Sequence, residues 1–489
     1  MHPILAGLGI TLGGQVAVAL CTVLLYRLLV QELGADGFGS FTLGKQAVSL
    51  LFPVVTVGLV GGLPRAMALA RGEGRGEQDA LLGAALAICL SVAAGCALLA
   101  LAFPGATSAV FFGGTASTDL VAAMAALLVA TAIFHMAYGY FRGRLRLGAA
   151  NGLQVLASGV APLLLLLLVP GIGVAELLAL MGAVLAVLSL AWIAGPLARA
   201  LRVGTARLAA AGRGLLDYGG RRVPGEIAQV GLFALVPVIA SHVTTLTEVG
   251  YLAAALQVVA MLGVAMNPIG VVLLPSFAER HAADPEGLRR QVALLAALAL
   301  HLAIFASLQL QVFAAIGLEI WLGPEFADAG ALARVTLLAA GPFVFYLAMR
   351  SSLDAVAVRS YNTRSNIAGL ATFGAIAAAG LLTDVVEPAF AVAWAFAGGV
   401  LVQGTMTFVF VQRRFAVPVA DYALVPALAL AAVTGALALA ARPLVESAAP
   451  LVLLAVVETA LAALFFGGLA VAGVRWTRAL REGSLRRGG

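Results

Sequence analysis

Charge is scarce in this chain: Asp, Glu, Lys and Arg together make up 11% of the 489 residues, whereas apolar residues make up 62%. A water-soluble domain carries about 25% charge and 45–50% apolar residues. A soluble fold is therefore excluded, and the useful unit of length is the membrane span. Lysine is almost missing. Lys45 is the only one, and every other basic residue is arginine. The net charge of +6 is dispersed in short clusters between apolar runs, which reads as orientation in a bilayer rather than as a nucleic-acid surface. Cysteine is equally rare. Cys21, Cys89 and Cys96 all lie within apolar segments, so no disulfide framework is implied and they read as small packing residues. No GxxxxGK[ST] motif occurs, which argues against ATP as the direct drive. The acidic residues form no metal-like cluster, so neither a metal nor a cofactor is expected. A cleavable signal pattern is also lacking: the apolar run from Ile4 to Leu29 is too long for a signal h-region, and it is expected to stay as the first span.

What the chain does have is fourteen apolar segments of spanning length, where about 20 residues cross the hydrocarbon as a helix. They run over residues 4–30, 41–63, 80–103, 119–141, 152–169, 174–195, 224–243, 248–275, 291–316, 331–350, 365–383, 388–410, 423–441 and 450–474. The runs are continuous and do not alternate, so they are helices and not barrel strands. The loops agree with this count. Twenty-five basic residues fall on one side, counting the C-terminal tail; the opposite loops hold Arg442, with Arg27, Lys45 and Arg334 inside or at the ends of spans. That positive-inside bias predicts an inner (plasma) membrane protein with both termini cytoplasmic.

The longest internal loop, Leu197 to Arg222, divides the chain into six spans before it and eight after. A shift of 211 residues aligns Gly14 with Gly225, Gly39 with Gly250, Gln46 with Gln257 and Leu63-Pro64 with Leu274-Pro275. The expected fold is all-α: two six-helix bundles related by pseudo-twofold symmetry about an axis along the membrane normal, plus two C-terminal helices. The expected boundaries are 1–198 for the first bundle, 199–222 for a cytoplasmic linker, 223–412 for the second bundle, and 413–489 for the added helices and basic tail.

Five stretches in register with these spans carry a resemblance: LGADGFGSFTL from Leu33, YGYFRGRLRLGAANGLQV from Tyr138, LLPSFAERHAADPEGLRRQ from Leu273, IWLGPEFADAGALARVTLLA from Ile320 and MRSSLDAVAVRSYNTRSNI from Met349. Together they resemble the polysaccharide transporters, or Wzx-type oligosaccharide flippases, of the superfamily that also holds multidrug exporters and lipid II flippases. The resemblance implies translocation of a polyprenyl-pyrophosphate-linked oligosaccharide between leaflets by alternating access, for polysaccharide or O-antigen synthesis, without enzymatic turnover. It also implies a lipid-linked oligosaccharide, the bilayer, and a polymerase or ligase of the assembly pathway as partners. A cation-coupled multidrug exporter and a lipid II flippase are the neighbouring alternatives. A membrane glycosyltransferase or ligase is the distant one, because the loops opposite the arginines are too short to house a catalytic site.

An anionic pyrophosphate needs cations and hydrogen-bond donors in a wet cavity. Lys45 and Arg27 are the leading substrate-binding candidates, expected on antiparallel neighbours at a similar depth, roughly 5 Å below the outer boundary; the alternative is that each snorkels to the interface. Gln46 and its repeat mate Gln257 are candidates for lining, or for interhelical bonds. Arg142 and Arg144 are candidates for contacting phosphate on entry. Glu226 and Gln229 are candidates for coupling or for lining the inner mouth, with pairing of Glu226 to Arg221 or Arg222 as the plainer reading. Arg350 and Asp354 are expected at an inner gate, and Pro53 and Pro268 as points of flexion or of fixed kinks. His135 and His301 read as packed histidines, and Glu458 as a helix contact outside the duplication.

Overall fold

In lipid, each backbone N–H and C=O must find its partner within its own segment, so long apolar runs fold as helices. The computed structural model describes the backbone of residues 3–70, 74–114, 116–356, 361–383, 385–447 and 450–477, and the side chains of these residues except 3–8, 265, 267–283, 355, 356, 447 and 450. No strand occurs among the described residues. The helices are α1 (Pro3–Thr56), α2 (Leu59–Leu69), α3 (Arg75–Ala102), α4 (Pro104–Phe111), α5 (Thr118–Gly143), α6 (Leu147–Gln154), α7 (Ala161–Leu168), α8 (Val174–Trp192), α9 (Ala194–Ala200) and α10 (Thr205–Gly220). They continue as α11 (Val223–Val243), α12 (Leu246–Ala283), α13 (Pro285–Leu322), α14 (Gly330–Leu337), α15 (Ala340–Val356), α16 (Tyr361–Thr383), α17 (Pro388–Phe415), α18 (Leu424–Ser447) and α19 (Pro450–Val471).

Thirteen helical stretches among the described residues are long and apolar enough to cross a bilayer, which makes this a multi-pass membrane protein. The first of them, Gly9–Thr56, has 48 residues. Held straight it would reach about 72 Å, more than twice the hydrocarbon thickness. Instead it reverses at Gly34, where φ is 68° and ψ is −175°, a conformation that glycine alone adopts without strain. The reversal is visible in side-chain contact: Lys45 Nζ lies 3.1 Å from the hydroxyl of Tyr26, nineteen residues earlier. The stretch therefore supplies two crossings, and the total is the fourteen that hydropathy predicts.

The second crossing is itself interrupted. Pro53 lies buried inside α1, and the helix continues past it to Thr56; the break falls at Val57 and Gly58, with φ of 48° and 71°. A side chain at Gly58 would collide with the carbonyl of Gly219, and one at Gly219 with the carbonyl of Val57. The break is thus placed by the backbone-to-backbone crossing with α10, four residues beyond the proline.

Large apolar side chains on the outer faces of the helices stay exposed: Leu98 at 66%, Leu382 at 83%, Val425 at 81% and Val471 at 87%. Such a surface is unfavourable in water and matches lipid.

The chain forms two compact units, residues 1–253 and 254–489. In the first, α5 is buried along most of its length and packs against α2, α3 and α8. The first crossing of α1 lies on the α6–α7 span through polar rungs. Asn151 Nδ2 is 3.4 Å from Thr11 Oγ1, and Gln15 Nε2 donates to Gln154 Oε1 at 3.2 Å. A π-helical turn, Val155–Val160, joins α6 to α7 and brings Gly159 against Cys21 and Val18. In the second unit, α13, α15 and α17 pack together, and α18 and α19 attach to α13. His301 on α13 is fully buried, accepting from Trp476 Nε1 at Nδ1 (2.9 Å) and donating from Nε2 to the Tyr422 carbonyl (2.8 Å). These partners fix a neutral ring with its proton on Nε2, and they make His301 the anchor of the segments flanking α18 and α19.

Candidate functional site

In the first unit, the turn at Gly34, helix α4, the C-terminus of α11 and the start of α12 gather at one end, away from most of the arginines. Here α1 and α12 cross through glycine. A Cβ on Gly39 would strike the carbonyl of Leu246, and a Cβ on Gly250 would come within 2.7 Å of the carbonyl of Ala35. Residues 35 and 246, like 39 and 250, are separated by the 211-residue repeat, so the contact is locally two-fold: each glycine admits the other helix's backbone. Thr247 Oγ1 donates to Asp36 Oδ1 beside it, again across 211 residues.

Lys45 lies deeper. It follows Gly34 by eleven residues, about 16 Å at 1.5 Å per residue, and Arg27 precedes Gly34 by seven, about 10 Å. Both are thus farther from the turn than a second span beginning at residue 41 implied, and at different heights, because the helix resumes immediately after Gly34. The Lys45 ammonium donates to Tyr26 Oη and lies 5.3 Å from the Tyr26 ring centroid and 5.5 Å from that of Phe41. Tyr26 is itself held edge-on by Phe38 at 5.2 Å and by Phe41 at 6.2 Å. An ammonium has three donors, and Tyr26 takes one. No carboxylate pairs with Lys45 among the described residues. Gln46 is half-buried next to it, with no hydrogen-bond partner among the described residues. Arg27 is half-buried and engaged within the protein.

The arginine-rich end of the same unit is more tightly cross-linked. Arg142 stacks over Tyr138 with its guanidinium carbon 5.5 Å from the ring centroid, and Arg144 Nη1 donates to Tyr140 Oη at 2.5 Å. Arg199 grips the buried carboxylate of Asp79 with two bonds, 2.7 and 3.3 Å long, and also reaches Tyr140. Arg65 lies 4.3 Å from the Tyr218 ring, while Arg222 donates to Tyr218 Oη at 3.1 Å. Burial alone would raise the Tyr218 phenol; hydrogen bonding from Arg65 and the nearby charge of Arg222 outweigh it and lower its pKa from the ordinary 10.0. Glu226 lies 3.8 Å from Arg222, whereas Arg221 pairs with Asp217; Gln229 is half-buried one turn farther along α11.

Within the second unit, Asn362 Nδ2 donates to the Arg350 carbonyl and to Asp354 Oδ1, both at 2.8 Å. Arg350 also approaches Tyr346, whose hydroxyl meets Asn366, and Gln403 Nε2 donates to Asn366 Oδ1 at 2.8 Å. Gln257 is half-buried on α12. Pro268 lies in α12 but outside the residues whose side chains are described.

Tyr26, Asp79, Arg199 and Tyr218 escape a reading of the sequence. An acid at the start of a span pairs with an arginine 120 residues away only because α3 and α9 meet. Removing that arginine has a predictable cost. Arg199→Ala strands the buried Asp79 carboxylate, and since Arg199 is itself half in solvent the loss should be about 2–3 kcal/mol, less than for a pair buried on both sides. Denaturant unfolding in micelles measures it, and adding Asp79→Asn to Arg199→Ala should recover part of the loss.

Helical crossings in both units, a lysine held inside the first hairpin and, in the first unit, arginines massed at one end make up a polytopic α-helical membrane protein. The chain superposes on lipid II flippase MurJ in an inward closed conformation with a TM-score of 0.69 at 12% identity, over 95% of this chain and 99% of that one. It superposes on an inward-facing multidrug resistance MATE family transporter of the MOP superfamily with a TM-score of 0.64 at 15% identity, over 83% and 98%. A eukaryotic MATE transporter, AtDTX14, gives 0.56 at 14% identity, over 83% and 95%. In sequence, residues 4–281 match the polysaccharide biosynthesis protein family, and the chain belongs to that family. No curated protein matches it in sequence.

Proposed function

We propose that this protein is a flippase that carries a polyprenyl-pyrophosphate-linked oligosaccharide from the cytoplasmic to the outer leaflet of the inner (plasma) membrane. The observation that carries the reading is Lys45, a cation without a carboxylate partner among the described residues, fixed by Tyr26 about 16 Å beyond the first turn. A cation at that depth is expensive, and a diphosphate would offset the cost by taking the donors that Tyr26 leaves open. Membership of a polysaccharide biosynthesis family supports the glycan-lipid substrate over a drug.

In this reading the arginine-rich end is cytoplasmic, with both termini, and the Gly39–Gly250 crossing closes the outer end. The first bundle (1–198) and the second bundle (223–412), joined by the linker (199–222), alternate in access, and the added helices and tail (413–489) lie outside the duplication. Arg142 and Arg144 meet the pyrophosphate on entry, and Arg27, Gln46 and Gln257 line its path with Lys45. Glu226, Gln229, Arg350 and Asp354 serve the inner gate or coupling, and Pro53 and Pro268 let the second and eighth spans flex. The prenyl tail stays in lipid, no cofactor takes part, and no bond of the substrate is made or broken. A polymerase or ligase that consumes the glycan in the outer leaflet, or a cation gradient, gives the net direction.

The test is reconstitution of the purified protein into vesicles holding a fluorescent polyprenyl-pyrophosphate glycan, with quenching of the exposed leaflet as readout. Protein-dependent loss of the protected fraction is expected. An unchanged protected fraction together with efflux of a cationic dye would replace the flippase by an exporter.

A further inference from the structure

At the arginine-rich end of the first unit, two guanidiniums converge on one phenol. Arg65, on α2, lies over the Tyr218 ring with its guanidinium carbon 4.3 Å from the centroid. Arg222, just past the end of α10, donates to Tyr218 Oη at 3.1 Å. The cluster is seated on glycine: a Cβ on Gly62 would come 3.4 Å from Tyr218 Cδ1, and one on Gly61 would come 4.0 Å from Arg222 Nε. The arrangement follows from the crossing of Gly58 with Gly219. Arg65 lies seven residues beyond the first of these glycines and Arg222 three beyond the second, so the crossing delivers one arginine from each helix to the same ring.

Two cations thus share one neutral acceptor. Arg65 is exposed and pairs with no carboxylate among the described residues. The acid that faces the cluster is Glu226, 3.8 Å from Arg222 Nε and beyond hydrogen-bond range, while Asp217 is engaged by Arg221. Burial, the largest influence on Tyr218, raises its pKa, yet the two arginines bring it below its ordinary value, so the site is positive on balance. A phosphate group offers guanidinium forks several charged acceptors where the phenol offers one neutral oxygen. Apolar surface lies beside the charges: Leu69, one turn beyond Arg65 on α2, and Leu216, two residues before Tyr218 on α10, are both exposed. Cationic and apolar groups side by side at the basic end of a membrane protein match a lipid headgroup and its chain.

We infer that Arg65, Arg222 and Tyr218 hold the phosphate of an anionic phospholipid in the leaflet at the arginine-rich end. One arginine comes from each of the two crossing helices, so the bound lipid ties α2 to α10. It thereby holds the break at Val57–Gly58, where Val57, a β-branched residue, sits at a φ of 48°, in a left-handed region that such a residue occupies only under strain. The site uses none of the residues assigned to the transported lipid, and it rests on the bilayer alone and not on the flippase reading.

Full-length protein in detergent micelles is titrated with dioleoyl phosphatidylglycerol, dioleoyl phosphatidylcholine, polyprenyl pyrophosphate or inorganic phosphate, and the bound molecules are counted by native mass spectrometry. The tightest lipid site should prefer phosphatidylglycerol to phosphatidylcholine. Arg65→Gln with Arg222→Gln should weaken that site at least about tenfold, the loss expected for one charge-assisted hydrogen bond or more. Arg213→Gln removes a charge from an exposed position of the same helix and should leave the site within about twofold of the parent. Tyr218→Phe keeps the ring and releases both guanidiniums from the hydroxyl, so phosphatidylglycerol binding should not weaken. If the double variant does not insert, Arg65→Gln alone is compared with Arg213→Gln. Equal losses in R65Q and R213Q overturn the site, because the attraction is then that of the whole basic end. Inorganic phosphate binding as tightly as phosphatidylglycerol overturns the lipid assignment, as does a double variant that loses polyprenyl pyrophosphate and keeps phosphatidylglycerol. Absent glycan flipping in vesicles removes the flippase reading and leaves this site in place.

Discussion

Lys45→Ala should lower the initial rate of glycan-lipid flipping in vesicles by at least about 100-fold, because two charge-assisted bonds to phosphate are lost, each about 1.5–3 kcal/mol. Insertion and monodispersity should be unchanged, since Lys45 has no ion pair among the described residues. Lys45→Arg keeps the charge but replaces a point donor by a planar fork, and should retain activity within about tenfold. Tyr26→Phe gives the finer test. It preserves the ring contacts with Phe38 and Phe41 and deletes only the hydroxyl 3.1 Å from Nζ. The freed ammonium gains rotamers, so half-saturation should rise about three- to tenfold with little change in maximal rate, and the effect should vanish in a Lys45→Ala background. Normal flipping by the Lys45→Ala, Arg27→Ala double variant would end the phosphate-binding role of this hairpin.

Gly39→Val should hold the α1–α12 crossing open. The obstacle to a Cβ at Gly39 is the backbone carbonyl of Leu246, which has no rotamer with which to move aside. Forcing the helices apart should cost about 2 kcal/mol, within the usual range for overpacking, or roughly a 30-fold shift in population. Labelling by an impermeant maleimide of a cysteine placed at position 42, buried one turn beyond Gly39, should become fast, while flipping falls because the cycle no longer closes. Gly250→Val should give the same phenotype, since its obstacle is the Ala35 carbonyl in the matching position. Slow labelling in both variants would mean that the two glycines are packing details and not the seal. Alanine at either position is expected to have a smaller effect in the same direction.

The two halves of this molecule's behaviour differ in how far they can be read from the chain. Hydropathy places the crossings because a helix in lipid satisfies its own backbone, so each span is a local property. It also places the first turn between residues 30 and 41, but not its tightness. Gly34 alone absorbs the reversal, and this carries Lys45 from a site just under a boundary to one deep within the hairpin. Pro53 is visible as a helix breaker, yet the helix passes through it and breaks at Val57–Gly58, where α10 presses backbone against backbone. The repeat match of Gly39 with Gly250 is legible in a one-dimensional alignment; that the two glycines touch is not.

The sequence by itself determined that this is an α-helical membrane protein of fourteen crossings, with one lysine inside them and membership of a polysaccharide biosynthesis family. These follow from composition, run length and motif order, which need no knowledge of packing. Only the tertiary structure decided that Lys45 is held by Tyr26, Asp79 by Arg199, and the Ala109 carbonyl by His242, across 19, 120 and 133 residues. Such pairings depend on which helix faces meet. Hydropathy says little about that choice, because lipid tails are as apolar as the Leu-rich faces that the helices present to one another.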